Sequence, residues 1–124
     1  MTRVLVVEDE ESYREALSYM LSKEGFEVIE AHDGATGIAE FDRRGADIVL
    51  LDLMMPDMDG WEVYQQMKAD EKTKNIPVIV VTAKAQSIDK VLGLHIAKVD
   101  DYITKPFSPQ DLMNSVEKVL KSKP

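Results

Sequence analysis

The chain has no cysteine, so neither a disulfide framework nor a thiolate metal site is available to it. Its longest apolar runs are about six residues, far short of the roughly 20 that a membrane-spanning helix needs. Basic residues are outnumbered, 15 against 23 acidic, and the net charge is −8. That balance argues against direct nucleic acid binding by this domain and suits cations and basic surfaces instead. Repeats, low-complexity tracts and an internal linker are lacking. The opening MTRVLVVEDE reads as a strand followed by acids rather than a signal peptide; the cytoplasm is the expected location, and no membrane partner is expected. What remains is 124 residues, 44% apolar and 31% charged, the profile of one globular domain over 1–124 with a single core and Pro124 at or near its C-terminal end.

Short apolar runs alternate with longer amphipathic ones. Val, Ile and Leu predict strands at 3–7, 27–31, 47–51, 78–81 and 102–104. Between them lie helical stripes. Tyr13, Ala16, Leu17, Met20 and Leu21 form the first, stopped by Gly25; Ala35, Ile38, Ala39 and Phe41 form the second, before Gly45. Trp61, Tyr64 and Met67 mark a third, and Ile88, Val91, Leu92 and His95 a fourth. The fifth has the clearest start: Ser108 as N-cap, Pro109 at the first helical position and Asp111 closing a capping box ahead of Leu112, Val116, Val119 and Leu120. Five βα units with strands apolar on both faces imply a doubly wound parallel sheet with helices on both sides.

Such sheets bind ligands beyond the carboxyl ends of their strands. Strand one ends at Glu8, Asp9 and Glu10, strand three at Asp52, strand four at Thr82 and strand five at Thr104 and Lys105. Asp52, in IVLLDLMMPDMDG, would be costly as an isolated buried charge; at a strand end it emerges instead into a shared acidic pocket. Hard carboxylate oxygens with no His or Cys nearby in sequence favour Mg²⁺ over zinc. A carboxylate nucleophile with a metal, an ammonium and a hydroxyl is a minimal phosphoryl-transfer site, and an aspartyl phosphate is its expected product.

These segments together resemble the receiver domain of bacterial two-component response regulators. The matching pieces are VLVVEDE with Glu8 and Asp9, DIVLLDLMMPDMDG with Asp52, VIVVTAK with Thr82, and DDYITKPF with Tyr102, Lys105 and Pro106. The resemblance implies a flavodoxin-like sheet of strand order 2-1-3-4-5 with five helices. It implies that Asp52 is phosphorylated from a sensor histidine kinase or phosphotransfer protein. Mg²⁺ would be held by Asp9, Asp52 and the main-chain carbonyl of Met54, with Glu8 acting through metal-bound water. Lys105 would pair with Asp52 at rest and with the phosphoryl group afterwards. Thr82 would hydrogen-bond a phosphoryl oxygen, and Tyr102 would swing inward as Thr82 moves, switching the face made by helix four, strand five and helix five. Pro106 would follow a cis peptide bond.

Plainer readings stand beside these. Glu8 to Glu11 suit an acidic first helical turn, Asp57 and Asp59 a turn shaped by Pro56 and Gly60, Thr82 a β-branched strand end, Tyr102 a half-buried aromatic, and Lys105 a surface lysine. An aspartate-nucleophile phosphatase would want a second acid two residues after Asp52, where Met54 stands. A flavin or nucleotide binder would want a glycine- or hydroxyl-rich loop where EDEESY stands, and a degenerate receiver would lack site residues. Two features depart from the family pattern. Thr82 and Lys105 are 23 positions apart, one more than usual, with Ala97, Lys98 and Val99 replacing a Gly-Ala pair. Asn114 and Ser115 also stand where regulators fused to winged-helix DNA-binding domains carry an arginine. The expectation is a stand-alone, mainly monomeric regulator that is not itself an enzyme; the alternative is a receiver excised from a winged-helix transcriptional regulator.

Overall fold

The computed structural model describes residues 2–52, 60–71, 73–82 and 100–121, apart from the side chains of Trp61 and Thr82. Its order is β1 (Arg3–Val7), α1 (Glu11–Lys23), β2 (Glu27–Ala31), α2 (Gly34–Arg44), β3 (Ile48–Asp52), α3 (Gly60–Ala69), β4 (Val78–Thr82), β5 (Asp101–Thr104) and a last helix (Pro109–Lys121). The five strands form one parallel sheet in the order β2-β1-β3-β4-β5, so the expected doubly wound topology holds. Four helices lie among the described residues; the fourth helical stripe, at 88–95, falls outside them.

Strand bounds differ from the sequence reading by one residue at β3, β4 and β5. The parallel ladder pairs Asp52 with Val81 and Thr82 with Thr104. Polar strand ends thus stay in register even though the apolar pattern has stopped, because pairing follows backbone hydrogen bonds and not side-chain polarity.

Alternation along each strand sorts the core into two layers. Leu5, Val7, Val49, Leu51, Val78 and Val80 face α2 and α3, where Val63, Tyr64 and Met67 cover them. Val4, Val6, Ile48, Leu50, Ile79, Val81 and Ile103 face the opposite way, onto Leu17 and Leu21 of α1 and Leu112, Val116 and Val119 of the last helix. Each fully buried Leu or Ile contributes roughly 1.5–3 kcal/mol relative to exposure.

Local chemistry sets the helix ends. At the close of α1, Gly25 takes a φ of 92° that side-chain-bearing residues avoid. Its N–H then reaches Ser22 O at 3.0 Å while the Phe26 N–H reaches Leu21 O at 3.1 Å, the paired bonds of a Schellman stop. The last helix opens on the anticipated box: the Asp111 N–H donates to Ser108 Oγ at 3.0 Å and the Ser108 N–H to Asp111 Oδ2 at 3.1 Å.

Candidate functional site

Strand alternation also decides which ionisable side chains meet. Glu8 continues the face of Val4 and Val6 beyond β1, Asp52 ends the face of Ile48 and Leu50 in β3, and Lys105 continues the face of Ile103 beyond β5. All three therefore emerge at the carboxyl edge of the layer packed against α1 and the last helix. Lys105 Nζ lies 2.6 Å from Glu8 Oε1 and 3.6 Å from Asp52 Oδ2. Glu8 is 1% exposed and Asp52 4%, so these charges interact with little solvent screening.

Asp9, one residue on, completes a cluster: one carboxylate oxygen from each of Glu8, Asp9 and Asp52 lies within 4.8 Å of the others. The backbone holds Glu8 firmly. Its N–H donates to Ala31 O at 3.0 Å, its Oε2 accepts from the Glu10 N–H at 3.0 Å, and its carbonyl accepts from Arg14 Nη1 at 3.0 Å. Arg14 also pairs with Glu30 at 3.4 Å, tying the first turn of α1 to the ends of β1 and β2.

Burial pushes the Glu8 carboxyl up to about 7, with the Lys105 ammonium pulling against that and the Asp52 charge adding to it. For Lys105, burial works against the charged form, but the neighbouring carboxylates of Glu8 and Asp52 outweigh it and hold the ammonium above its ordinary value. Three carboxylates against one ammonium leave an excess of two negative charges when Glu8 is ionised, which matches a divalent cation. Glu8 Oε1, approached by the ammonium, has no aligned hydrogen bond among the described residues. This donor set of hard oxygens could hold a metal ion.

Several expected positions gain definition. Glu8 and Asp9 precede α1, which starts at Glu11, so they do not form an acidic first turn. Lys105, expected beside Asp52, lies nearer Glu8. Tyr102 is 45% exposed on β5, and the Lys105–Pro106 peptide bond is cis. Thr82 ends β4 opposite Thr104, while its side chain and the whole of Met54, Asp57, Asp59 and residues 97–99 lie outside the described residues. Two neighbours of the site escaped the sequence reading. Tyr13 looked like one more member of the α1 stripe, yet its ring lies under the Lys105 ammonium. Arg14 carried no signal beyond being a basic residue in an acidic stretch.

A family model described as the response regulator receiver domain matches residues 4–117. The chain belongs to the response regulator receiver domain family. Among curated relatives, the sensory transduction protein RegX3 of Mycobacterium tuberculosis is 51% identical over 121 residues, covering 98% of this chain and 52% of that protein. The phosphate regulon transcriptional regulatory protein PhoB of Escherichia coli is 38% identical, covering 96% and 52%. The receiver domain thus spans about half the length of the curated relatives it matches. Among solved structures, the response regulator TrrA of Thermotoga maritima, in complex with Mg²⁺ and BeF, superposes with a TM-score of 0.84 at 32% identity, covering 96% of this chain and 99% of that one. No helix among the described residues is long and apolar enough to cross a membrane.

Proposed function

We propose that this receiver domain accepts a phosphoryl group on Asp52 from the phosphohistidine of a sensor kinase or phosphotransfer protein. The observation that supports this most is the convergence of Glu8, Asp9 and Asp52 within 4.8 Å, beside a buried lysine. An Asp52 carboxylate oxygen attacks phosphorus, the P–N bond breaks, and its electron pair leaves on the imidazole, giving an aspartyl phosphate. The carboxylates of Asp9 and Asp52 and the main-chain carbonyl of Met54 would hold Mg²⁺, with Glu8 acting through water, and the ion would supply charge neutralisation for the phosphoryl oxygens. Lys105 is assigned the contact to a phosphoryl oxygen, a role supported by its distance of 3.6 Å from Asp52 Oδ2. Thr82 is assigned the role of hydroxyl donor, and Tyr102, exposed on β5, that of the ring moving inward behind it. Phosphorylation adds about −1.5 to −2 charges at pH 7, and the pocket passes that change to the β5 and last-helix surface as a bias between two existing states. Beyond its own phosphorylation and dephosphorylation the protein is assigned no catalysis, and its setting is the cytoplasm.

Mass spectrometry after treatment with acetyl phosphate and Mg²⁺ tests the assignment. One added phosphoryl group is expected on wild type and none on Asp52→Asn; robust labelling of that variant would sink it. A second reading, favoured by relatives about twice as long, one of them named a transcriptional regulator, is that the chain is the receiver portion of such a regulator. Light scattering with and without beryllofluoride separates the two: a monomer throughout supports the stand-alone reading, and a clean shift to dimer the other.

A further inference from the structure

The Lys105 ammonium has a third neighbour besides its two carboxylates: it lies 4.2 Å from the centroid of the Tyr13 ring. That is well inside the range over which a ring face attracts a cation. The ring is itself braced. Its centroid is 6.1 Å from that of Phe107, with the planes tilted by 41°, and Phe107 packs on the core layer beneath α1. Arg14, the next residue, anchors the same helical turn to the Glu8 carbonyl and to Glu30. Tyr13 therefore occupies a prepared position and does not drift across an open surface.

We propose that Tyr13 is a positioning residue for phosphoryl uptake, its ring forming with Glu8 and Asp52 a three-walled cage that keeps the Lys105 ammonium beside the acceptor oxygen. This rests on the phospho-acceptor reading of Asp52. The chemistry explains why a ring serves here. With carboxylates alone, the ammonium is drawn to Glu8, already at 2.6 Å, and away from Asp52. Another carboxylate would hold the lysine but would repel the incoming phosphoryl group. A ring face attracts the cation through its quadrupole yet adds no net charge, so the lysine is held in place while its N–H donors remain available to phosphoryl oxygens. A leucine at this position would fill space and exclude water but would not attract the ammonium.

The test compares wild type, Tyr13→Phe and Tyr13→Leu in two measurements. The first is the initial rate of Asp52 labelling by acetyl phosphate at saturating Mg²⁺. Tyr13→Leu should be roughly threefold to tenfold slower, the range of a partly buried cation–π contact, and Tyr13→Phe should match wild type. The second is proton NMR of the unphosphorylated protein, with the Lys105 signals assigned by comparison with Lys105→Gln. The Lys105 ε-methylene protons should be shifted upfield by the ring in wild type and Tyr13→Phe and return to ordinary values in Tyr13→Leu, a signature that a loss of packing alone would not produce. Labelled wild type with an equally fast Tyr13→Leu, or a Tyr13→Phe as slow as Tyr13→Leu, would overturn the proposal and leave the acceptor reading standing. Absence of the upfield shift in wild type would also overturn it. An unlabelled wild type would overturn the acceptor reading, and this proposal with it.

Discussion

Replacing Glu8 by glutamine should stabilise the metal-free domain, by an amount that depends steeply on pH. The Glu8 carboxyl is raised from 4.5 to about 7 in the folded protein, first by burial and then by Asp52, with Lys105 opposing. A carboxyl raised on folding favours the protonated folded form. Wild-type stability from this group is therefore complete below pH 4.5 and is lost as pH rises through about 7. Each pH unit between those values is worth about 1.4 kcal/mol, so the loss approaches ~3 kcal/mol. Glutamine keeps the shape and cannot ionise, and it leaves Lys105 with Asp52. In chelator, the variant should match wild type near pH 4.5 and exceed it by ~3 kcal/mol above pH 7, a rise in melting temperature on the order of 10 °C. Urea denaturation of both proteins at intervals from pH 4.5 to 8 measures the difference directly. A difference that did not vary with pH, or a variant less stable at pH 8, would refute the argument that burial outweighs the lysine.

Other consequences follow from the same geometry. Millimolar Mg²⁺ should raise the melting temperature by mass action, and Asp9→Asn should remove most of that rise in a thermal-shift titration; an undiminished response would count against Asp9 as a ligand. In α2, Gly37→Ala places a methyl 2.9 Å from Cγ2 of Val7 in β1, and should cost about 1–3 kcal/mol in denaturant unfolding despite alanine's better helix propensity. Ser108→Ala removes the acceptor for the Asp111 N–H and should cost about 1 kcal/mol, read as a lower urea midpoint with an unchanged slope. Ser115→Ala breaks the 2.6 Å bond that Ser115 Oγ donates to Asp101 Oδ2 and should cost about 1–3 kcal/mol, since the acceptor is charged.

The strands and helices were legible because their signals are local. Val4 to Val7 and Ile48 to Leu51 are apolar on both faces, which a sheet covered on both sides requires. Ser108 and Asp111 are three residues apart, and their two hydrogen bonds close within one turn. The acidic site was legible for a related reason: each strand announces its carboxyl end by a change from apolar to polar, and the topological rule for such sheets gathers those ends on one edge. Glu8, Asp9, Asp52 and Lys105 could therefore be grouped without coordinates, although the family pattern was needed to give each a role.

Tertiary structure alone decided how that group is arranged. No periodicity distinguishes Glu8 from Asp9 in VVEDE, because both faces of β1 are buried, yet Glu8, on the face of Val4 and Val6, is 1% exposed, while Asp9 is partly open to solvent. Nor does any local pattern say that Lys105 stands closer to Glu8 than to Asp52, or that it lies over Tyr13. Arg3 is similar: it reads as the first residue of a strand, yet it joins Glu27 and the Arg44 carbonyl at the opposite end of the sheet. Alternation along a strand assigns a side chain to a face. Which groups on that face touch depends on sheet twist, helix placement and the reach of long side chains, and these are set by packing among residues far apart in the chain.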